Sequence, residues 1–351
     1  MHKPLASLAL ASVAVLALAG CSTTSGSAAT EGGDGLSVVA STNVYGDIAS
    51  RIGGDHVDVT SIISSLSQDP HEYEASASDQ LTVKKAKLIV ENGGGYDSYM
   101  ESLRDASGSD AAVVTAVEYS HDYPGTKVED DGHEHDHDHD DSEADGSDTH
   151  EGEADGSDTH EGEADGSETH EGHDHIEGFN EHVWYDPHTI EHVAEAIAEQ
   201  LIDLDSANKA DYEQNLADFQ KDIAGLEDSL ATIKSAHEGD KVFVTEPVPV
   251  YLAESAGLVN VTPEAFSEAV EEGQDVPPAT LLDALDLIKA GDVKVLFANA
   301  QTGGAETTQV IDAAKDAGTA VQEVTELVPD GKTYITWMQD NITTLAGNLD
   351  K

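Results

Sequence analysis

Histidines beside carboxylates are the residues of this 351-residue chain best equipped for chemistry, and they occur in two settings. Residues 121 to 175 hold ten of the 17 histidines. Within that stretch His133, His135, His137 and His139 alternate with acidic residues. His150, His160 and His170 recur once in each of three ten-residue copies of EADGS(D/E)THEG, spanning 143–172, and His173 and His175 follow. Imidazole is the commonest metal ligand, and interleaved carboxylates raise the local cation concentration, so this segment is expected to hold several divalent ions weakly. The plainer alternative is a solvated acidic linker. No copy contains a large apolar residue; the insert, taken as 121–176, cannot build a core and is expected to be disordered. Loose capture or buffering suits such a segment better than selective recognition.

The second setting is four short segments, each weak when taken alone. Asp69-Pro70-His71-Glu72-Tyr73-Glu74 and His182-Val183-Trp184-Tyr185-Asp186-Pro187 each place a histidine in a loop. Glu246 directly follows the apolar run Val242-Phe243-Val244, and Glu326 follows another ending at Val324. All four fall at strand ends or loops, where open α/β sheets hold ligands. His188 and His192, four residues apart on one helix, are a lesser metal pair lacking the HExxH glutamate. Asn92-Gly93-Gly94-Gly95 lacks both the GxGxxG and the Walker A spacing and reads as a tight turn. Asn299 and Gln301 are expected to hydrogen-bond across the cleft, and Trp184 and Tyr185 to pack around the site.

The elements that must position these residues follow from periodicity. Strands are expected at 36–41, 57–63, 88–92 and 112–117, with helices at 44–52, 80–86 and 96–106 between them. A second series alternates strands at 241–245, 293–298 and 319–324 with helices at 281–290, 306–317 and 334–345. Strand-helix alternation implies parallel sheets, hence two α/β lobes. Between them Tyr212, Leu216, Phe219, Ile223, Leu226, Leu230 and Ile233 repeat at 4, 3, 4, 3, 4, 3. That seam predicts one long, rigid connecting helix; from Asp211 to Ser235 it spans about 38 Å at 1.5 Å per residue. The expected domains are 36–207 with the insert, the connecting helix 208–237, and 238–351, with the four short segments facing a possible cleft between the lobes.

Charge and targeting bound the function. Acidic residues number 71 against 16 basic, a formal charge of −55, which excludes nucleic-acid binding through a basic surface. Residues 121–181 carry −23 of it, leaving −32 on the rest, so the body is acidic too. Lys3, the apolar run 5–18 and Leu18-Ala19-Gly20-Cys21 read as a lipoprotein signal at 1–21. Cys21, the only cysteine, is then the acylated residue, and 22–35 is a flexible tether. The mature protein is expected outside the cell, lipid-anchored to the outer face of the bacterial cytoplasmic membrane.

In this order, the lipobox, DPHEYE, a His-rich insert, HVWYDP, a long helix and TEPVPVYLAESAGL at 245–258 resemble the substrate-binding lipoproteins of zinc and manganese ABC importers. The resemblance runs from Cys21 to the C-terminus; VTELVPDGKTYITWM at 324–338 matches more loosely. It implies one divalent ion held in the inter-lobe cleft, with metal ligands at His71, His182, Glu246 and Glu326 and Asp330 as the other candidate for the last position. Four ligands of this kind make a closed site for Zn²⁺, and an oxygen-rich set also admits Mn²⁺. The His-rich insert points to zinc and Glu246 toward manganese; zinc is the expected ion. The implied partners are an ABC permease and its separate ATPase subunit, with the receptor itself a monomer and not an enzyme. The alternatives are a manganese receptor of the same type, or a surface metal buffer or adhesin acting through the insert.

Overall fold

The computed structural model describes residues 35–128, 176 and 178–351. The signal, Cys21, the tether before Gly35 and the insert histidines from His133 to His175 lie outside the described residues. The first sheet contains β1 (Leu36–Thr42), β2 (Val57–Ile63), β3 (Leu88–Glu91) and β4 (Ala112–Thr115), all parallel, in the order β2-β1-β3-β4. Its helices are α1 (Asn43–Gly53), α2 (Ala77–Val83), α3 (Ser98–Ser107) and α4 (Pro187–Leu204). Next comes α5 (Lys209–His237), whose 29 residues span about 43 Å.

The second sheet repeats the first. It contains β5 (Lys241–Val244), β6 (Val259–Asn260), β7 (Val293–Asn299) and β8 (Ala320–Val324), again parallel, in the order β6-β5-β7-β8. Around it lie α6 (Val250–Ser255), α7 (Glu264–Glu271), α8 (Pro278–Lys289), α9 (Ala305–Ala317) and α10 (Tyr334–Leu349). The two-lobe α/β architecture joined by a long helix is therefore present. Three elements were not foreseen: α6, the two-residue β6, and α7. The helix expected at 80–86 lies three residues earlier, because Ser76 and Asp79 close a reciprocal cap that starts α2 at Ala77.

One hydrophobic cluster spans both lobes, beside a separate one in the second lobe. The α5 seam buries Tyr212, Phe219, Ile223, Leu226, Leu230 and Ile233, in a cluster that runs from Val38 in β1 to Leu349 in α10. Burying each such side chain contributes roughly 1.5–3 kcal/mol. Helix α10 ties the second sheet back onto the first lobe. The Tyr334 N–H donates to Asp47 Oδ2 at 2.8 Å, and the Tyr334 hydroxyl donates to the Trp184 carbonyl at 2.9 Å. Residues 121–128, placed inside the insert by the sequence reading, have defined positions: Tyr123 packs edge-on against Phe179 at 5.4 Å and Lys127 pairs with Glu118.

Candidate metal centre

Parallel strands put their carboxyl ends on one edge of each sheet, and the four predicted segments lie at these edges or in the loops beside them. His71 is in the loop after β2; His182 precedes α4; Glu246 and Glu326 follow β5 and β8 by two residues. The structure brings three of them together. One ligand atom each from His71, His182 and Glu326 lies within 4.8 Å of the others. His71 Nε2 is 3.8 Å from Glu326 Oε2, and the side chains are 8% and 2% exposed. Asp330 is exposed and lines a separate hollow with Asn43, Asp47 and Lys332, so of the two candidates only Glu326 reaches the cluster.

Local chemistry orients each group. The Asn180 side-chain oxygen accepts the His182 backbone N–H at 3.1 Å and lies 2.8 Å from His182 Nδ1. An oxygen acceptor there fixes the proton on Nδ1 and leaves the Nε2 lone pair for a cation. The Asn92 amide donates to the Glu181 carbonyl at 3.0 Å, so the end of β3 holds the His182 loop. Asp69 accepts the His71 N–H at 2.9 Å, fixing that loop. Asp186 and Pro187 start α4: the Asp186 carboxylate accepts the N–H groups of His188 and Thr189, with proline next in the first turn.

Glu246 is close by but differently engaged. The Asn299 amide donates to Glu246 Oε2 and to Glu326 Oε1, both at 2.7 Å, and the Thr302 hydroxyl donates to Glu246 Oε1. Gln301 accepts the Glu326 N–H at 2.7 Å. Asn299 and Gln301 thus act inside the second lobe and not across the cleft, because β7 and β8 are neighbours and their ends meet. Cross-lobe bonds come from other residues. Tyr185 donates to the Thr325 carbonyl at 2.7 Å, Tyr251 to the Asn180 carbonyl at 2.8 Å, and Tyr96 to Glu326 Oε2 at 3.2 Å. Trp184 and Tyr185 are fully buried as packing groups, as expected.

Two carboxylates that the sequence reading did not name complete the surroundings. Glu271, the last residue of α7, places Oε1 3.6 Å from His182 Nε2, and Glu181 joins Glu271 and His71 in a second group of ligand atoms within 4.8 Å. Glu271 hides in an acidic surface-like run, Glu271-Glu272-Gly273; the signal available was Phe266, Ala269 and Val270 at helical spacing after Pro263. Burial shifts these carboxyls strongly. Glu326 is pushed up to about 8 by desolvation first and by Glu246 second. Desolvation raises Glu246 as well, against the bonds from Thr302 and Asn299. Glu271 is driven far up by desolvation and by Glu181. Two imidazoles and up to four carboxyls with no buried Lys or Arg among the described residues suit a divalent cation.

The remaining predicted pair, His188 and His192 of α4, packs edge-on at 4.9 Å, with Glu191 and, from α5, Glu227 near His188. It lies outside the cleft. Among the described residues no helix is long and apolar enough to cross a membrane.

The model of the zinc-uptake complex component A family, described as periplasmic, matches residues 38–348. The chain belongs to this family. It is 24% identical to the manganese-binding lipoprotein MntA of Halalkalibacterium halodurans over the full length of both chains. Identity to the manganese ABC transporter substrate-binding lipoprotein PsaA of Streptococcus anginosus is also 24%, over 99% of this chain and 100% of that one. Among solved structures, the periplasmic zinc binding protein TroA of Treponema pallidum superposes with a TM-score of 0.64 at 16% identity, covering 90% of this chain and 99% of that chain. The laminin binding protein of Streptococcus agalactiae, described as a bifunctional adhesin and metal transporter, gives 0.63 at 20% identity with the same coverage. The chain is accordingly an extracytoplasmic substrate-binding component of a metal ABC importer, from a solute-binding family and not an enzyme family. Such components work with a permease and an ATPase.

Proposed function

We propose that this receptor captures Zn²⁺ outside the cell in the inter-lobe cleft and delivers it to its permease. The observation that carries this reading is the convergence of His71, His182 and Glu326, three buried ligand atoms within 4.8 Å, drawn from both lobes. With one more oxygen from the second lobe, a place the family resemblance gives to Glu246, they form a closed tetrahedral set. A closed set leaves no open metal position for an attacking water, so the chain has no catalytic role. Zinc binds such ligands more tightly than manganese by the Irving–Williams order.

In this reading the protein is a monomer, anchored through acylated Cys21, and the histidines of the insert raise the local metal supply without being required for the tight site. A specific observation supports Mn²⁺ as a second cargo: Glu181 and Glu271 flank His71, so the cleft has enough oxygens for a higher coordination number. Titration of the full-length protein with Zn²⁺ against a competing chelator, with and without Mn²⁺, tests the proposal beside His71→Ala. One tight zinc site lost in the variant is expected; a variant that binds as tightly as the wild type would remove the cleft from the function.

A further inference from the structure

We propose that α4 and α5 carry a second divalent-cation site, outside the cleft, in which His188, Glu191 and Glu227 hold the ion with His192 as the fourth donor, and that the ion clamps the connecting helix to the first lobe. One ligand atom each from His188, Glu191 and Glu227 lies within 4.8 Å of the others. His188 and Glu191 stand in the first turns of α4, and Glu227 comes from α5. His188 Nδ1 is 3.7 Å from Glu227 Oε1. Metal bonds of about 2.0–2.2 Å set the edges of a tetrahedron at roughly 3.3–3.6 Å, so a small side-chain adjustment closes this pair on an ion.

His192 follows His188 by one helical turn, on the same face of α4. Their ring centres are 4.9 Å apart. Two imidazoles on one tetrahedral ion place their ring centres roughly 5 Å apart. His192 is also prepared as a ligand by the groups behind it. Glu195 Oε2 lies 3.1 Å from His192 Nδ1, and Gln220 of α5 donates to Glu195 Oε1 at 2.8 Å. A carboxylate at Nδ1 fixes the proton there and leaves the Nε2 lone pair for a cation. His192 Nε2 is buried and has no hydrogen-bond partner among the described residues. A plain His188–Glu227 ion pair accounts for neither that nitrogen nor the approach of Glu191. The two backbones are fixed, since Ile190, Val193 and Ile197 of α4 and Ile223, Leu226 and Leu230 of α5 are buried. Two imidazoles and two carboxylates suit Zn²⁺ and balance its charge. The His188 and Glu227 side chains are 32% and 40% exposed, so water reaches the ion and the site fills only when zinc is in excess over the cleft.

The test is hydrogen–deuterium exchange of the full-length protein, read by mass spectrometry, with and without excess Zn²⁺. Zinc at 100 times the dissociation constant of the site is expected to slow exchange by about 100-fold in the peptides of α4 and α5 that carry these residues. His188→Ala and Glu227→Gln are expected to exchange like wild type without metal and to lose the slowing with it. Glu213→Gln, which removes an exposed carboxylate elsewhere on α5, should keep the slowing. His71→Ala, which removes an imidazole of the cleft, should keep it too, and so separates the two sites. Three results would each overturn the proposal. Absence of any zinc-dependent slowing in these helices would leave only an ion pair. Slowing that survives in Glu227→Gln would put the ion on other groups, and slowing abolished by His71→Ala would trace the effect to the cleft.

Discussion

The two lobes share a topology, β2-β1-β3-β4 and β6-β5-β7-β8, and yet they bring opposite chemistry to the cleft. From the first come the imidazoles of His71 and His182; from the second come the carboxyls of Glu246, Glu271 and Glu326. Neither set suffices alone. Two neutral imidazoles leave a dication's charge unbalanced, while the buried carboxyls favour their protonated forms, Glu326 and Glu271 being raised by desolvation first and by neighbouring carboxylates second. On the proposed reading of the cleft, a bound metal reads out whether the lobes are together. The cross-lobe bonds of Tyr185, Tyr251 and Tyr96 and the shared α5 seam keep them so.

The sharpest way to break this comparison is to remove an imidazole. A structural zinc site yields about 10–16 kcal/mol, so losing one of four ligands is expected to cost about 2.5–4 kcal/mol, or roughly two to three orders of magnitude in affinity. His182→Ala should show this in chelator competition, and an affinity within threefold of wild type would deny the first lobe its part. Next in size is the shared core. Phe219→Ala in α5 is expected to lower stability by about 3–5 kcal/mol by chemical denaturation, with both lobes unfolding in one transition. Two separated transitions would mean that the lobes are energetically independent.

Smaller effects sharpen the account. Asn299→Ala removes the donor shared by Glu246 and Glu326 and should weaken zinc binding about 10- to 100-fold. Asn180→Ala should cost a similar or smaller factor by freeing the His182 ring. The pH dependence is the mildest test. Because Glu326 titrates in the folded protein near 8 instead of 4.5, the folded metal-free state keeps a proton the unfolded chain has released. That stabilisation is full below the unfolded value and is lost as pH rises through about 8. The Tm of the metal-free protein should therefore fall from pH 5 toward 8, while the added stabilisation by zinc grows over the same interval. A metal-free Tm that climbs across this range would contradict the buried protonated carboxyls.

Much of this was legible from residues. Alternating strand and helix patterns gave both sheets, and the seven-residue apolar seam gave α5, because long periodic elements write themselves into composition. DPHEYE and HVWYDP marked the imidazole loops. The missing parts are short or acidic. β6 has two residues and α6 has six, too little chain for any period to show. Glu271 stood unnoticed since an exposed acidic turn and a buried carboxylate look alike in sequence; only the packing of Phe266 on Phe243 turns the end of α7 inward. Asn299 was singled out for the right reason, its place at a strand end, but its direction depends on which strands are neighbours, which β5, β7 and β8 settle in three dimensions.

The most direct measurement is zinc-edge X-ray absorption of the full-length protein loaded with one equivalent of Zn²⁺, beside the same sample carrying His71→Ala. The account predicts two imidazole nitrogens and two carboxylate oxygens at roughly 2.0–2.2 Å, a shell that disappears in the variant. A shell of three or more imidazoles, or a spectrum unchanged by His71→Ala, would place the first ion on the histidines of the insert and contradict the inter-lobe site.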